Sequence, residues 1–327
     1  MKGKRGWMPS TRHLSVLGLI LFAALLLKFD AKSTLMLALS IKPAYIISFS
    51  IFVVLEVLLR SLRWKILVNR YRPKYSLREA FEAMLMGVAF GAITPGRVGD
   101  IIKAVSIRGG KVDFNKALSI EIVDRLIDLF YIFLLASCGY LFLAIVITKA
   151  EPSLPLLTLI LAALASLTTL MFFTSSTKRI LGIAHNLFVP EKYKHQSKAL
   201  YGTFNETMRE IREPKLLTQI IILTIAWWTI LSIRPYFITE GLGYHINPLY
   251  FLLTMPVVVV IELIPVSILG IGTREAGLIL VFSVLGAPAQ TMLTLGILTF
   301  ALVVLPQTAA GFLIAYLKKT SLNKLLK

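Results

Sequence analysis

Two stretches decide how this chain is read: FGAITPGRVGDIIKA at residues 90–104 and IELIPVSILGIGTREAG at residues 261–277. Each is a glycine- and proline-broken segment that carries ionisable side chains, and each is set inside apolar sequence. In the first, Pro95, Gly96 and Gly99 interrupt the run, and Arg97, Asp100 and Lys103 accompany them. In the second, Pro265, Gly270 and Gly272 interrupt it, and Glu262, Arg274 and Glu275 flank it. A charge placed in hydrocarbon is costly, so membrane segments that contain one line a polar cavity or pathway. Two broken, charged segments in corresponding halves of a chain point to a translocation site.

Composition supplies the surroundings. Of the 327 residues, 57% are hydrophobic and only 16% charged, and the mean hydropathy is +0.78. Several runs approach the ~20 apolar residues that a spanning helix requires, so the chain reads as an integral, polytopic, all-α membrane protein forming a single domain over residues 1–327. The one cysteine, Cys138, excludes an intramolecular disulfide and a cysteine-rich metal site.

The net charge of +18 is clustered. Arg60, Arg63, Lys65, Arg70, Arg72, Lys74 and Arg78 fall in one connection, and a second, at 175–215, is basic and amphipathic. The positive-inside rule makes both cytoplasmic, along with the basic N-terminus and tail, in the cell membrane. This distribution argues for topology and anionic lipid contact, and against nucleic acid.

With that rule, residues 13–29, 44–62 and 118–147 are read as spans of a first half, 13–147, with a re-entrant hairpin at 79–108. Residues 154–174, 216–234 and 289–317 are the spans of a second half, 154–317, with a second hairpin at 248–287. The architecture is about six full spans plus two re-entrant helical hairpins. Three spans per half force the halves into opposite orientation, the inverted repeat of many secondary transporters. Whether 275–287 is a half-helix or part of a full span is open at this level. The basic segment before Lys215 is expected to lie on the membrane surface.

A break in hydrocarbon must face protein or water, because unpaired peptide groups cannot face lipid. Gly91, Gly96 and Gly99 permit unusual backbone geometry, and Pro95 ends the preceding helix. A helix that starts near Arg97 presents free amides to whatever fills the break. With Arg97 and Lys103 nearby, that occupant is a phosphate or another anionic headgroup.

A third constellation lies in ALSIEIVDRLIDLFYIF, residues 117–133. Glu121, Asp124, Arg125 and Asp128 recur at spacings of three and four, which places them toward one helix face. The plain reading is a buried charge network in which Arg125 pairs with Asp128, Asp124 or Asp100 balances Arg97 or Arg274, and Glu262 takes part.

PGRVGD at 95–100, VDRLID at 123–128 and GIGTRE at 270–275 together resemble the signature of the flippase-like family that includes the transmembrane domain of lysylphosphatidylglycerol synthase. The resemblance covers essentially the whole chain. Asp100 stands where that family more often has a glutamate, and Ile271 where a second consecutive glycine is common. The resemblance implies lipid movement: flipping of an aminoacylated lipid in the synthase, and glycolipid or polyprenyl-phosphate handling in stand-alone relatives. Only ten residues follow Leu317, so no soluble synthase domain, and no aminoacyl transfer by this chain alone, is expected.

No P-loop is present, and His13, His185, His195 and His245 lack metal-ligand spacing, so neither ATP nor a metal or other cofactor is expected. The expectation is a flippase or scramblase moving a phospholipid or polyprenyl-phosphate-linked lipid, with Arg97, Asp100, Lys103, Arg274 and Glu275 at the headgroup. The expected partners are membrane lipids, with a second copy or a separate lipid-modifying enzyme as protein partners. A membrane-embedded transferase with Asp124 or Glu275 as base, and a small-solute transporter, are the alternatives.

Overall fold

Within hydrocarbon a chain has to satisfy its own backbone polar groups, and this one does so with helices. The computed structural model describes residues 11–94, 99–108, 112–149, 153, 156, 158, 163–164, 194–264 and 266–318, and among these there is no strand. In chain order the helices are α1 (Thr11–Lys28), α2 (Ala31–Leu39), α3 (Pro43–Asn69), α4 (Leu77–Ala92), α5 (Ile102–Ile107) and α6 (Phe114–Leu141). There follow α7 (Lys194–Ile211), α8 (Pro214–Ile233), α9 (Pro235–Gly241), α10 (Pro248–Glu262), α11 (Thr273–Ser283), α12 (Ala289–Thr299) and α13 (Leu305–Leu317).

Four continuous helical stretches among the described residues are long and apolar enough to cross a bilayer: Pro43–Asn69, Phe114–Ile147, Pro214–Gly241 and Ala289–Leu317. At 1.5 Å per residue the shortest, with 27 residues, is about 40 Å long, against a hydrocarbon core of about 30 Å. The second and fourth each contain a π-helical turn, at Phe142–Ile147 and Phe300–Val304. The latter precedes Pro306, whose nitrogen has no proton to give the preceding turn.

The helices beside the breaks are shorter. α4 has 16 residues and α10 has 15, about 24 and 22 Å, so neither crosses the core alone. α11 is an 11-residue element that ends before the turn at Gly286, a half-length helix separate from Ala289–Leu317. The order long helix, short helix, break, short helix, long helix with a π turn therefore occurs twice. α3 packs on α8, α4 on α13 and α6 on α10. In the last two pairs a glycine makes the closest approach: a Cβ on Gly139 would strike the Leu253 carbonyl, and one on Gly311 the Leu85 carbonyl.

Outward faces are apolar, with Ile47, Ile51, Val54 and Leu58 of α3 and Ile222 and Ile225 of α8 exposed. A lipid solvent explains such a surface, which water would not favour.

Two sequence expectations change here. The helix expected at 44–62 continues to Asn69, so Arg60, Arg63 and Lys65 belong to α3 and not to a connection. Trp64, Leu67 and Val68 are buried and carry the apolar periodicity past those charges. The amphipathic segment packs on protein where it is described: Phe204, Met208 and Ile211 of α7 are buried with α6 and the end of α3. Its acidic Glu206 and Glu210 both lie 3.2 Å from Lys116. The expected span at 154–174 and the connection to residue 193 lie, but for a few positions, outside the described residues.

Candidate functional site

The first break is shaped by glycines on α4. Gly87 and Gly91 are one helical turn apart and share a face. A Cβ on Gly87 would meet Lys103 Cγ at 2.9 Å, and one on Gly91 would collide with the Asp100 carboxylate. Gly91 is thus needed for space, inside a regular helix, and not for unusual dihedrals. Thr94 closes the turn, its hydroxyl donating to Phe90 O at 2.9 Å and accepting from Gly99 N at 2.7 Å. The short α5 then lays Lys103 against α6.

There an alternating chain of charges forms. Asp100 pairs with Arg125, and Arg125 Nε donates to Glu121 at 3.2 Å. Lys103 Nζ lies 2.7 Å from Glu121 and 2.9 Å from Asp124. Arg63 of α3 completes the chain, 2.8 Å from Asp124 and 2.6 Å from Asp128. Arg63 and Lys103 are each 1% exposed, whereas the Arg125 side chain is 29% exposed and is the accessible cation of the set. The alternation of sign makes burial of so many ions tolerable, since each charge borders an opposite one.

A second branch begins on the same face of α3. Glu56 pairs with Arg234, at the junction of α8 and α9, and lies 3.7 Å from Arg60. Arg63 also donates to Thr224 Oγ1 of α8 at 3.0 Å. The guanidinium carbons of Arg60 and Arg63 lie 5.2 and 5.8 Å from the Trp227 ring centre, within cation–π range. Trp227 and Trp228 are buried packing aromatics of this contact.

The second break is held by its own charges. Leu269, Gly270 and Gly272 all have positive φ, at 60°, 74° and 86°. Arg274 Nη2 donates to Glu262 at 2.6 Å and to the Leu269 carbonyl at 2.8 Å, so one guanidinium spans the break. Glu275 accepts from Gly272 N at 2.6 Å, which makes the chain's own carboxylate the anion at the α11 N-terminus. α1 seals this break. Gly18 N donates to Val266 O at 2.9 Å, and a Cβ on Gly18 would meet Ser267 Cβ at 2.5 Å.

The structure therefore brings Asp100, Lys103, Glu121, Asp124, Arg125 and Asp128 together, and puts Glu262 with Arg274 and Glu275 in a separate cluster. Asp128 pairs with Arg63, and the expected Arg125–Asp128 pair is replaced by Arg125–Asp100. Asp124 is balanced by Arg63 and Lys103. Lys103 is buried between the Glu121 and Asp124 carboxylates and the Trp64 ring. Pro95, Gly96, Arg97 and Pro265 lie outside the described residues. Sequence reading missed Glu56, Arg63 and Arg234. The signal was the spacing of Glu56, Arg60 and Arg63 by four and three, which marks one helix face. Among the described residues no histidine, cysteine and carboxylate group has the arrangement of a metal site.

Apolar spanning helices around buried, paired charges define a multi-pass helical membrane protein. The chain belongs to the family described as the lysylphosphatidylglycerol synthase TM region, which it matches over residues 14–311. No curated protein and no solved structure matches it.

Proposed function

We propose that this protein is a lipid translocase, a flippase or scramblase that moves a phospholipid or polyprenyl-phosphate-linked lipid between leaflets along a polar path formed by the two breaks. The observation that carries this reading is the pair of charged breaks, each beside helices too short to cross the bilayer and each inside a bundle with lipid-compatible walls. Membership of a family named for a lipid synthase's membrane region supports it.

In this reading the two halves are related by inversion. The repeated element order supports that relation, as do the matching glycine contacts, Gly139 on Leu253 and Gly311 on Leu85. Both termini face the cytoplasm of a plasma-membrane protein. A phosphate is held by Arg97 and by the partly accessible Arg125 at the first break, and by Arg274 at the second. Asp100, Glu262 and Glu275 balance these cations in the empty state, and Lys103 fixes α5 to α6. The headgroup exchanges for a carboxylate partner, so no bare charge is left in hydrocarbon. Acyl or isoprenoid tails stay in the bilayer. A second copy of the chain or a separate lipid-modifying enzyme is the protein partner.

The test is a liposome assay of headgroup sidedness with purified protein and several labelled lipids. Protein-dependent transfer of a phosphate-bearing lipid supports the proposal. Conversion of the lipid to a new product without a change in sidedness replaces translocation with transferase chemistry.

A further inference from the structure

Arg63 ties together three long helices through polar contacts. From α3 it reaches Asp124 and Asp128 on α6 and Thr224 on α8, beneath the Trp227 ring. Asp124 is shared with Lys103, Lys103 with Glu121, Glu121 with Arg125, and Arg125 with Asp100 in the first break. The contacts run unbroken from α8 to the first break. The second break has no corresponding link among the described residues. Its Arg274 is engaged locally with Glu262 and Leu269.

We infer that Arg63 is a positioning residue that sets, from the α3–α8 contact, where α5 and Asp100 sit at the edge of the first break, while leaving the second break unaffected. The physical reason lies in valence and burial. Arg63 offers a planar fork whose nitrogens engage two carboxylates and a hydroxyl at once, which a lysine ammonium on a single stem does not reproduce. If the fork is lost, Asp124 and Asp128 must find other cations. Lys103 already lies 2.9 Å from Asp124, and its displacement toward the freed carboxylate moves α5 and Asp100. The close fit of Lys103 against Gly87, and of Asp100 against Gly91, leaves no slack to absorb the shift. A shift at Arg63 is therefore passed on to the break.

The role of the first break as a headgroup site rests on the proposed function, but the structural coupling does not. The experiment separates the two. In a Cys138→Ser background, a single reporter cysteine is introduced as Ile93→Cys in the first break or as Ile268→Cys in the second, both exposed positions. Its reaction rate with a soluble thiol reagent is measured in detergent and compared among Arg63, Arg63→Lys, Arg63→Gln and Thr224→Val proteins. The expected result is a change of about threefold or more for the first-break reporter in Arg63→Lys and Arg63→Gln, and a smaller change of the same sign in Thr224→Val. The rate for the second-break reporter stays within about twofold of the parent.

If Arg63→Gln does not fold, Arg63→Lys and Thr224→Val decide. Equal changes at both reporters, a change at the second-break reporter alone, or no change at either overturns the inference. Lipid transfer in liposomes is read on the same proteins. A silent parent protein would defeat the proposed function while the labelling rates still judge the coupling.

Discussion

Arg63 and Asp128 lie 2.6 Å apart across the α3–α6 contact, although Asp128 has a nearer cation in sequence, Arg125, on its own helix. Arg125 is directed instead to Asp100 and Glu121, toward the break. The charge network therefore joins helices, with Glu121–Arg125 as a pair within α6.

Removing one end of the Arg63–Asp128 pair leaves an uncompensated buried charge. Arg63→Met alone should destabilise by roughly 3 to 5 kcal/mol, and Arg63→Met with Asp128→Leu should recover part of that loss. Melting of the three purified proteins in detergent checks the order. A double variant less stable than Arg63→Met would contradict the pairing.

At the two breaks, Arg97→Ala and Arg274→Ala are expected to abolish lipid translocation while the protein still inserts and is extracted folded. For Arg274 the reason is its span of the second break, from Glu262 to the Leu269 carbonyl. Wild-type transfer rates in liposomes from both variants would remove the phosphate-clamp proposal.

Glycine substitutions should separate contact from propensity. Gly139→Ala and Gly311→Ala place a methyl against a neighbouring helix's backbone carbonyl and should cost about 1 to 3 kcal/mol. Gly202→Ala in α7 meets nothing within 4 Å and should be stabilising by about 0.5 to 1 kcal/mol. Thermal unfolding of each single variant reads the sign directly.

The inverted relation of the halves predicts sidedness. Single cysteines at Ser76 and Ser197, with Cys138 replaced, should be labelled only from the cytoplasm, and one at Asn247 only from outside. External labelling at residue 197 would give both halves the same orientation and defeat the inversion.

The first turn of α4 rests on a reciprocal cap, with Ser76 Oγ accepting from Glu79 N at 3.1 Å and Ser76 N donating to Glu79 at 2.8 Å. The Ser76 backbone N–H, and beside it the Ser76 hydroxyl that donates to the same carboxylate at 2.8 Å and that Ser76→Ala removes, hold the Glu79 carboxyl below its ordinary range. A depressed carboxylate pKa contributes stability that is present above the unfolded pKa and is lost as pH falls through the folded one. Ser76→Ala should lower stability by about 1 kcal/mol at neutral pH, with a smaller difference in acid. Melting curves across the acidic range test that convergence.

By itself, the amino-acid sequence determined that the protein is helical and membrane-embedded, where its two breaks fall, and which family it joins. Those properties follow from local quantities: apolar run length, glycine and proline placement, and three short motifs. The helical grouping of Glu121, Asp124, Arg125 and Asp128 was legible for the same reason, since periodicity places them. The partners were not legible. Only the tertiary structure decided that Arg63 serves Asp124 and Asp128, that Glu56 meets Arg234, that Gly91 makes room for Asp100, and that α7 covers α6. An ion pair between two helices in a low-dielectric interior is chosen by which helices pack together, and that packing cannot be read from spacing along one helix.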